Sequence, residues 1–143
     1  GLGDVYKRQN LGWTDRLIAE PENIKPEEIY PYMNGNFVFK QAVTRFPETI
    51  IESLKKAGKT VEDLDMLIPH QANIRISQYV QQLMELPDEK VFNNIQKYGN
   101  TTAASIPIAL SEAIAEGKVK RGDLVCLAAF GSGFTWGSVL LEY

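Results

Sequence analysis

Cysteine and histidine are almost missing from this chain: 143 residues contain one of each, Cys126 and His70. A lone cysteine cannot close an internal disulfide, which suits a reducing, cytoplasmic setting. One cysteine and one histidine cannot build a Cys/His zinc site within the chain. No EF-hand-like Asp/Gly loop offers a hard-metal site either, so no metal is expected. No run approaches the ~18–20 apolar residues of a membrane span. No basic start followed by an apolar stretch marks a secretory signal. Excess positive charge is lacking too. Fifteen basic against 18 acidic residues leave a formal charge of -3, which argues against nucleic acid as the main partner. What is present is the mix of a soluble globular domain, 44% hydrophobic and 23% charged, long enough for one domain with a real core.

Residues 1–9 show neither helical nor strand periodicity and resemble a translated sequencing adapter, so they read as a non-native lead-in and are set apart. Residues 10–52 read as the end of a connecting region followed by a long helix, and residues 53–143 as a domain. Pro21, Pro26 and Pro31 mark the connection as a surface segment, with a helical turn near Pro26. From about Asn34, the residues Val38, Ala42, Phe46, Ile50 and Leu54 recur every four positions, one apolar stripe on a helix. Pro47 should kink or interrupt that helix, and Gly58 should stop it.

Met66-Leu67-Ile68 reads as a short buried strand. A helix is expected from about Asn73 to Leu86, with Ile76, Val80, Leu83 and Met84 turned inward. Val91 and Phe92 suit a short strand. Thr101 or Thr102 should cap a further helix whose apolar face is Ile106, Ala109, Leu110, Ala113 and Ile114, with Pro107 as a conflict and Gly117 as its end. Leu124 to Phe130 is seven consecutive non-polar residues, suited to a strand covered on both faces. Gly131-Ser132-Gly133 turns the chain, and Phe134 to Tyr143 returns as a strand. Helices alternating with buried strands predict an α/β layered fold.

Three segments carry polar groups where packing alone does not ask for them. In Pro69-His70-Gln71-Ala72-Asn73, a strand ends and a helix begins, the usual place for ligand sites in α/β folds. A histidine there is held neutral by the positive end of a helix dipole and donates one N–H. Local features leave a surface or capping histidine equally open. In Tyr98-Gly99-Asn100-Thr101-Thr102-Ala103-Ala104-Ser105, Asn100 is either a helix N-cap or an amide donor aimed at an oxyanion. In Phe130-Gly131-Ser132-Gly133-Phe134-Thr135-Trp136-Gly137, the glycines permit close backbone approach to a ligand, or simply a tight turn. Trp136 reads as core. Cys126 lies mid-strand among apolar neighbours and reads as a small core hydrophobe with a raised pKa.

In order and spacing these segments, with Met33-Asn34-Gly35-Asn36-Phe37-Val38-Phe39-Lys40 before them, resemble the type III β-ketoacyl-acyl carrier protein synthases of the thiolase superfamily. The resemblance runs from about Met33 to Tyr143. It implies the C-terminal half of a thiolase-like αβαβα sandwich. It further implies an acyltransferase of fatty acid biosynthesis, homodimeric at full length, whose partners are acyl carrier protein and acyl-coenzyme A. Coenzyme A and phosphopantetheine thioesters enter as substrates, and no cofactor is implied. His70 and Asn100 match the catalytic histidine and asparagine, and Ser132 the oxyanion loop, where the family usually has glycine. Phe130 matches the acyl pocket. Gly35, Ala72 and Asn73 match positions near the pantetheine arm, and Lys40, Gln71 and Arg75 the carrier-protein docking face. The nucleophilic cysteine belongs to the family's N-terminal half, so the chain alone is expected to be inactive. Other thiolase-superfamily acyltransferases, such as polyketide-type synthases, and a non-catalytic carrier-protein-binding module are the competing readings.

Overall fold

A computed structural model describes residues 33–143, so the expectations for the lead-in and the proline-rich connection fall outside the described residues. The elements follow in the order α1 (Gly35–Lys56), β1 (Met66–Pro69), α2 (Ile74–Leu83), a 3-10 turn (Asp88–Lys90), α3 (Ile95–Tyr98), a second 3-10 turn (Thr102–Ala104), α4 (Ser105–Ala115), β2 (Leu124–Gly131) and β3 (Thr135–Glu142). Among the described residues the strands form one sheet, ordered β1-β2-β3. β1 pairs with β2 in parallel, from Met66 opposite Val125 to Pro69 opposite Ala128. β3 returns antiparallel, from Gly131 opposite Thr135 to Leu124 opposite Glu142.

Side chains of a strand alternate between its two faces, and here both faces are covered. Leu67, Cys126, Ala128 and Phe130 pack against Ala42, Phe46, Ile50 and Leu54 of α1 and Val80 of α2. Met66, Ile68 and Val125 point the other way, onto Ala109 and Ala113 of α4. Helices on both sides of the parallel pair give the expected α/β layers. The seven apolar residues of β2 are continuous in sequence because each face meets a helix layer.

The apolar stripe of α1 is buried as its spacing requires. Asn34 caps the helix by accepting from the Phe37 N–H at 3.1 Å. Gly58, at φ +68, takes the left-handed turn that ends it. Pro47 does not break the helix, which runs unbroken from Gly35 to Lys56 with Pro47 buried. The backbone bond that proline forfeits is outweighed by burial of the stripe on both sides of it, a tertiary override of a ~3 kcal/mol propensity penalty.

Further expectations are corrected. Leu83 is 58% exposed rather than inward. The buried line of α2 is set by Ser77, Val80 and Met84, and Leu83 lies about 100° around the helix axis from Met84. Val91 and Phe92 form no strand beyond a single parallel bridge from Val91 to Leu67. Neither Thr101 nor Thr102 caps α4 with its side chain, because a 3-10 turn intervenes. Pro107 is tolerated because it sits in the first turn of α4, where backbone N–H groups have no intrahelical partner. Finally, Trp136 is not core: it is 38% exposed, on the outer strand β3, with the Arg45 guanidinium 5.1 Å above its ring.

Cys126 is fully buried, and burial in apolar surroundings pushes its thiol up to about 12. Native protein is therefore expected to resist alkylation by iodoacetamide at mildly alkaline pH, and to react fully after denaturation in guanidinium. Fast labelling of the folded chain, followed by mass spectrometry, would show this account of the core to be wrong.

Candidate active site

Parallel pairing brings the carboxyl ends of β1 and β2 to the same edge of the sheet. His70 extends the ladder by donating its N–H to the Ala128 carbonyl at 2.7 Å. Two residues beyond Ala128 begins the Phe130-Gly131-Ser132 segment. A cavity of about 630 Å³ opens at this edge. Its wall includes His70, Ala72, Asn73, Asn100, Phe130 and Ser132. The sequence motifs, separated by up to sixty-two positions, thus meet at one place.

Most of the remaining wall is apolar, with Val38 and Phe46 from α1, Ile76 from α2 and Ile106 from α4. Apolar walls with a few convergent polar groups make a ligand site in which each polar group counts for more than it does in water. Phe130 is buried and anchors an aromatic group, its ring centroid 4.8 Å from Phe134 and 6.4 Å from Phe46.

His70 is half-buried, and desolvation lowers its pKa from the ordinary 6.5. Burial thus favours the neutral ring. Its Nδ1 lies 2.5 Å from the Ser105 hydroxyl, at the start of α4. Nε2 has no protein partner among the described residues.

Asn100 is not a helix N-cap: α4 begins only at Ser105, and the 3-10 turn before it starts from Thr101 without a side-chain bond, so the Asn100 side chain closes a local turn instead. Its Oδ1 accepts from the Thr102 N–H at 2.9 Å, which assigns the oxygen to the backbone. The two N–H donors of Nδ2 are left over, on a residue that lines the cavity. Thr102 has φ +52, a left-handed conformation that is uncommon for a β-branched residue. The segment after Asn100 is therefore held in a shape it would not choose freely.

Serine at position 132 brings no backbone strain. Among described non-glycine residues only Glu85 and Thr102 have positive φ. The glycine requirement falls one residue later, at Gly133, with φ +141. A Cβ there would collide with the Thr135 side chain and approach the Thr135 backbone nitrogen to 2.9 Å.

Gln71, expected on the docking face, is instead buried at 3% exposure. Its amide is spent internally: Nε2 donates to the Pro69 and Phe92 carbonyls, and Oε1 accepts from the Asn94 and Ile95 N–H groups. Lys40 and Arg75 are exposed and lie outside the cavity wall, as does Gly35 at the start of α1. Asn73 caps α2, its Oδ1 accepting from the Arg75 N–H at 3.0 Å. Sequence reasoning missed Met33, Ile106 and Ser105. Ser105 closes the second motif, but nothing local ties it to a histidine thirty-five residues earlier.

Residues 54–143 match the sequence pattern described as 3-Oxoacyl-[acyl-carrier-protein (ACP)] synthase III C terminal. The chain belongs to that family. It is 57% identical over 114 residues to the β-ketoacyl-[acyl-carrier-protein] synthase III of Aquifex aeolicus, covering 80% of this chain and 37% of the relative. The Campylobacter jejuni synthase III is 44% identical over 142 residues, covering 98% of this chain and 44% of that protein. The chain thus spans about two fifths of the length of these curated relatives. The crystal structure of the Aquifex synthase III superposes with a TM-score of 0.78, over 80% of this chain and 37% of that one. The Pseudomonas aeruginosa synthase III does so with 0.75, at 43% identity, over 79% of this chain and 35% of that one. The mixed α/β layers are those of a thiolase-like C-terminal half. Among the described residues no helix is long and apolar enough to cross a membrane.

The histidine of this chain is solitary, so its titration can be read directly by NMR. A midpoint below 6.5 is expected in the folded protein, rising to the ordinary value in urea. The sign follows from the neutral ring being favoured by folding. The associated stability is present above 6.5 and is lost as pH falls through the lower folded value. A folded midpoint above 6.5 would contradict the burial argument.

Proposed function

We propose that this chain supplies the enolate-stabilising part of a condensing enzyme that joins malonyl-acyl carrier protein to an acyl-coenzyme A primer. The observation that carries this reading is the meeting of His70, Asn100 and Ser132 in one mostly apolar cavity. In the proposed sequence, a cysteine from outside this chain first takes the acyl group from coenzyme A. Malonyl thioester then enters and loses carbon dioxide, and the electron pair of the broken C–C bond passes to the thioester as an enolate. The enolate carbon attacks the acyl-cysteine carbonyl. The tetrahedral adduct collapses to the β-ketoacyl thioester and releases the cysteine thiolate.

The cost of this chemistry is the negative charge on the malonyl thioester oxygen. A dry site meets it with neutral N–H donors fixed in advance, which need no reorganisation when the charge appears. His70 through Nε2–H and Asn100 through Nδ2–H fill that role. The backbone N–H of Ser132 serves the acyl-cysteine carbonyl, and Phe130 forms part of the acyl wall. Gly35, Ala72 and Asn73 flank the pantetheine arm. Lys40 and Arg75 offer exposed positive charge to an acidic carrier protein, Gln71 having been withdrawn from that face by its burial.

Cys126 takes no part. It is buried in the sheet, and a thiol held near 12 supplies almost no thiolate at neutral pH. Cys126 is also the sole cysteine, so this chain by itself is expected to show no condensation and no acyl loading from coenzyme A.

In the enzyme completed by its N-terminal half, His70→Ala and Asn100→Ala should each slow malonyl decarboxylation by roughly a hundred- to thousandfold. Acylation of the nucleophilic cysteine by acyl-coenzyme A should survive in both variants. Decarboxylation at near wild-type rate in either variant would remove that residue from the mechanism.

A further inference from the structure

Ser105 is 2% exposed and opens α4 beneath the cavity, and the reaction described above leaves it without a role. Its hydroxyl has two partners among the described residues. The Gln71 backbone N–H reaches it at 3.3 Å, and His70 Nδ1 lies at 2.5 Å. The proton count at these three atoms is restrictive. A backbone amide can only donate, so the Gln71 N–H takes one lone pair of the serine oxygen. The hydroxyl has one proton, and the only acceptor left to it among these partners is Nδ1. A proton on Nδ1 would take the second lone pair and leave the buried hydroxyl proton with no acceptor among these partners, an arrangement that folded proteins avoid.

We propose that Ser105 is a positioning residue. Its hydroxyl, oriented by the Gln71 amide, donates to His70 Nδ1 and so holds the imidazole proton on Nε2, at the cavity wall. This is the carboxylate–histidine arrangement of hydrolases with the polarity reversed. There a carboxylate accepts from Nδ1–H and makes Nε2 a base. Here a hydroxyl donates to Nδ1 and makes Nε2 a donor. The Gln71 amide is itself fixed, since the Gln71 side chain is bound to Pro69, Phe92, Asn94 and Ile95. The proton on Nε2 is thus set by a chain of bonds that begins in the buried backbone.

The consequence for rate rests on the reading of His70 as an enolate donor; the tautomer does not. Because the chain holds one histidine, selective 15N-histidine labelling gives a single pair of ring nitrogens. At alkaline pH, Nδ1 of the wild-type chain is expected to resonate as an unprotonated, pyridine-like nitrogen and Nε2 as a protonated, pyrrole-like one. A pyrrole-like Nδ1, or two averaged signals, overturns the proposal without any variant being made. In Ser105→Ala the two signals should move toward each other as the tautomers exchange, and Ser105→Thr, which keeps the hydroxyl, should restore the wild-type pattern. An unshifted pattern in folded Ser105→Ala also overturns it. In the complete enzyme, Ser105→Ala should slow malonyl decarboxylation about tenfold, the worth of one ordinary hydrogen bond, while sparing acyl loading. If the tautomer shifts in the variant but decarboxylation does not slow, Ser105 keeps its role and His70 loses the donor role assigned to it.

Discussion

Four hydrogen-bonding positions of one buried amide, that of Gln71, connect most of what surrounds the cavity. Nε2 reaches the Pro69 carbonyl at 2.7 Å and the Phe92 carbonyl at 3.4 Å, while Oε1 receives the Asn94 N–H at 3.0 Å and the Ile95 N–H at 3.1 Å. These groups belong to the end of β1, the single bridge beyond it and the start of α3. No sheet ladder joins them, so without Gln71 they would be buried polar groups lacking partners, each costing about 1–3 kcal/mol. The main-chain N–H of the same residue reaches on to Ser105 at the head of α4. Gln71 thereby ties the strand that presents His70 to the segment that presents Asn100. That is why its side chain is turned inward although its neighbours Ala72 and Asn73 are exposed.

Around this clamp the sheet supplies direction. Parallel pairing of β1 and β2 sends both strands toward one edge, and the helix layers on either face leave that edge as the place where backbone emerges from the core. β3 returns antiparallel and closes the glycine-containing turn against Phe130, whose ring lies 6.4 Å from that of Trp136 across the register. Asn100 arrives separately, from a loop whose Thr102 is held in a left-handed conformation. The bond from the Thr102 N–H fixes which end of the Asn100 amide is an acceptor and which is free to donate. Closing this turn and offering a donor to the cavity fall to the two ends of one amide.

How far the sequence could be read depended on the range of the interactions involved. The stripe of α1 was legible because burial there follows a helical period within one element. The apolar run of β2 was legible because both of its faces are covered. Gln71 was misplaced on the surface because its partners lie at Phe92, Asn94 and Ile95, more than twenty positions on. Ser105 was passed over for the same reason, its partner His70 being thirty-five positions away. Leu83 and Trp136 show the complementary failure. Both are large and apolar and lie near the edge of an apolar pattern, and the pattern does not say where the packed face stops. Pro47 shows that a local rule, correctly stated, yields when the residues on either side of it are buried in a common core.

Cys126 and His70 also show what kind of chemistry this environment permits. Burial raises the thiol of one and lowers the imidazole pKa of the other, so in both cases the charged form is disfavoured. The cavity wall includes His70 but not Cys126, and burial there disfavours an imidazolium. What the wall can hold is fixed dipoles: an imidazole N–H, an amide N–H and the backbone amides of the turn at Ser132. Lys40 and Arg75 stay outside the cavity wall. Among the described residues the wall holds no lysine, arginine or carboxylate, so these donors would stabilise an anion without a permanent cation of their own. For the enolate proposed above, that means stabilisation grows with the charge as it develops, which is the differential binding on which catalysis depends.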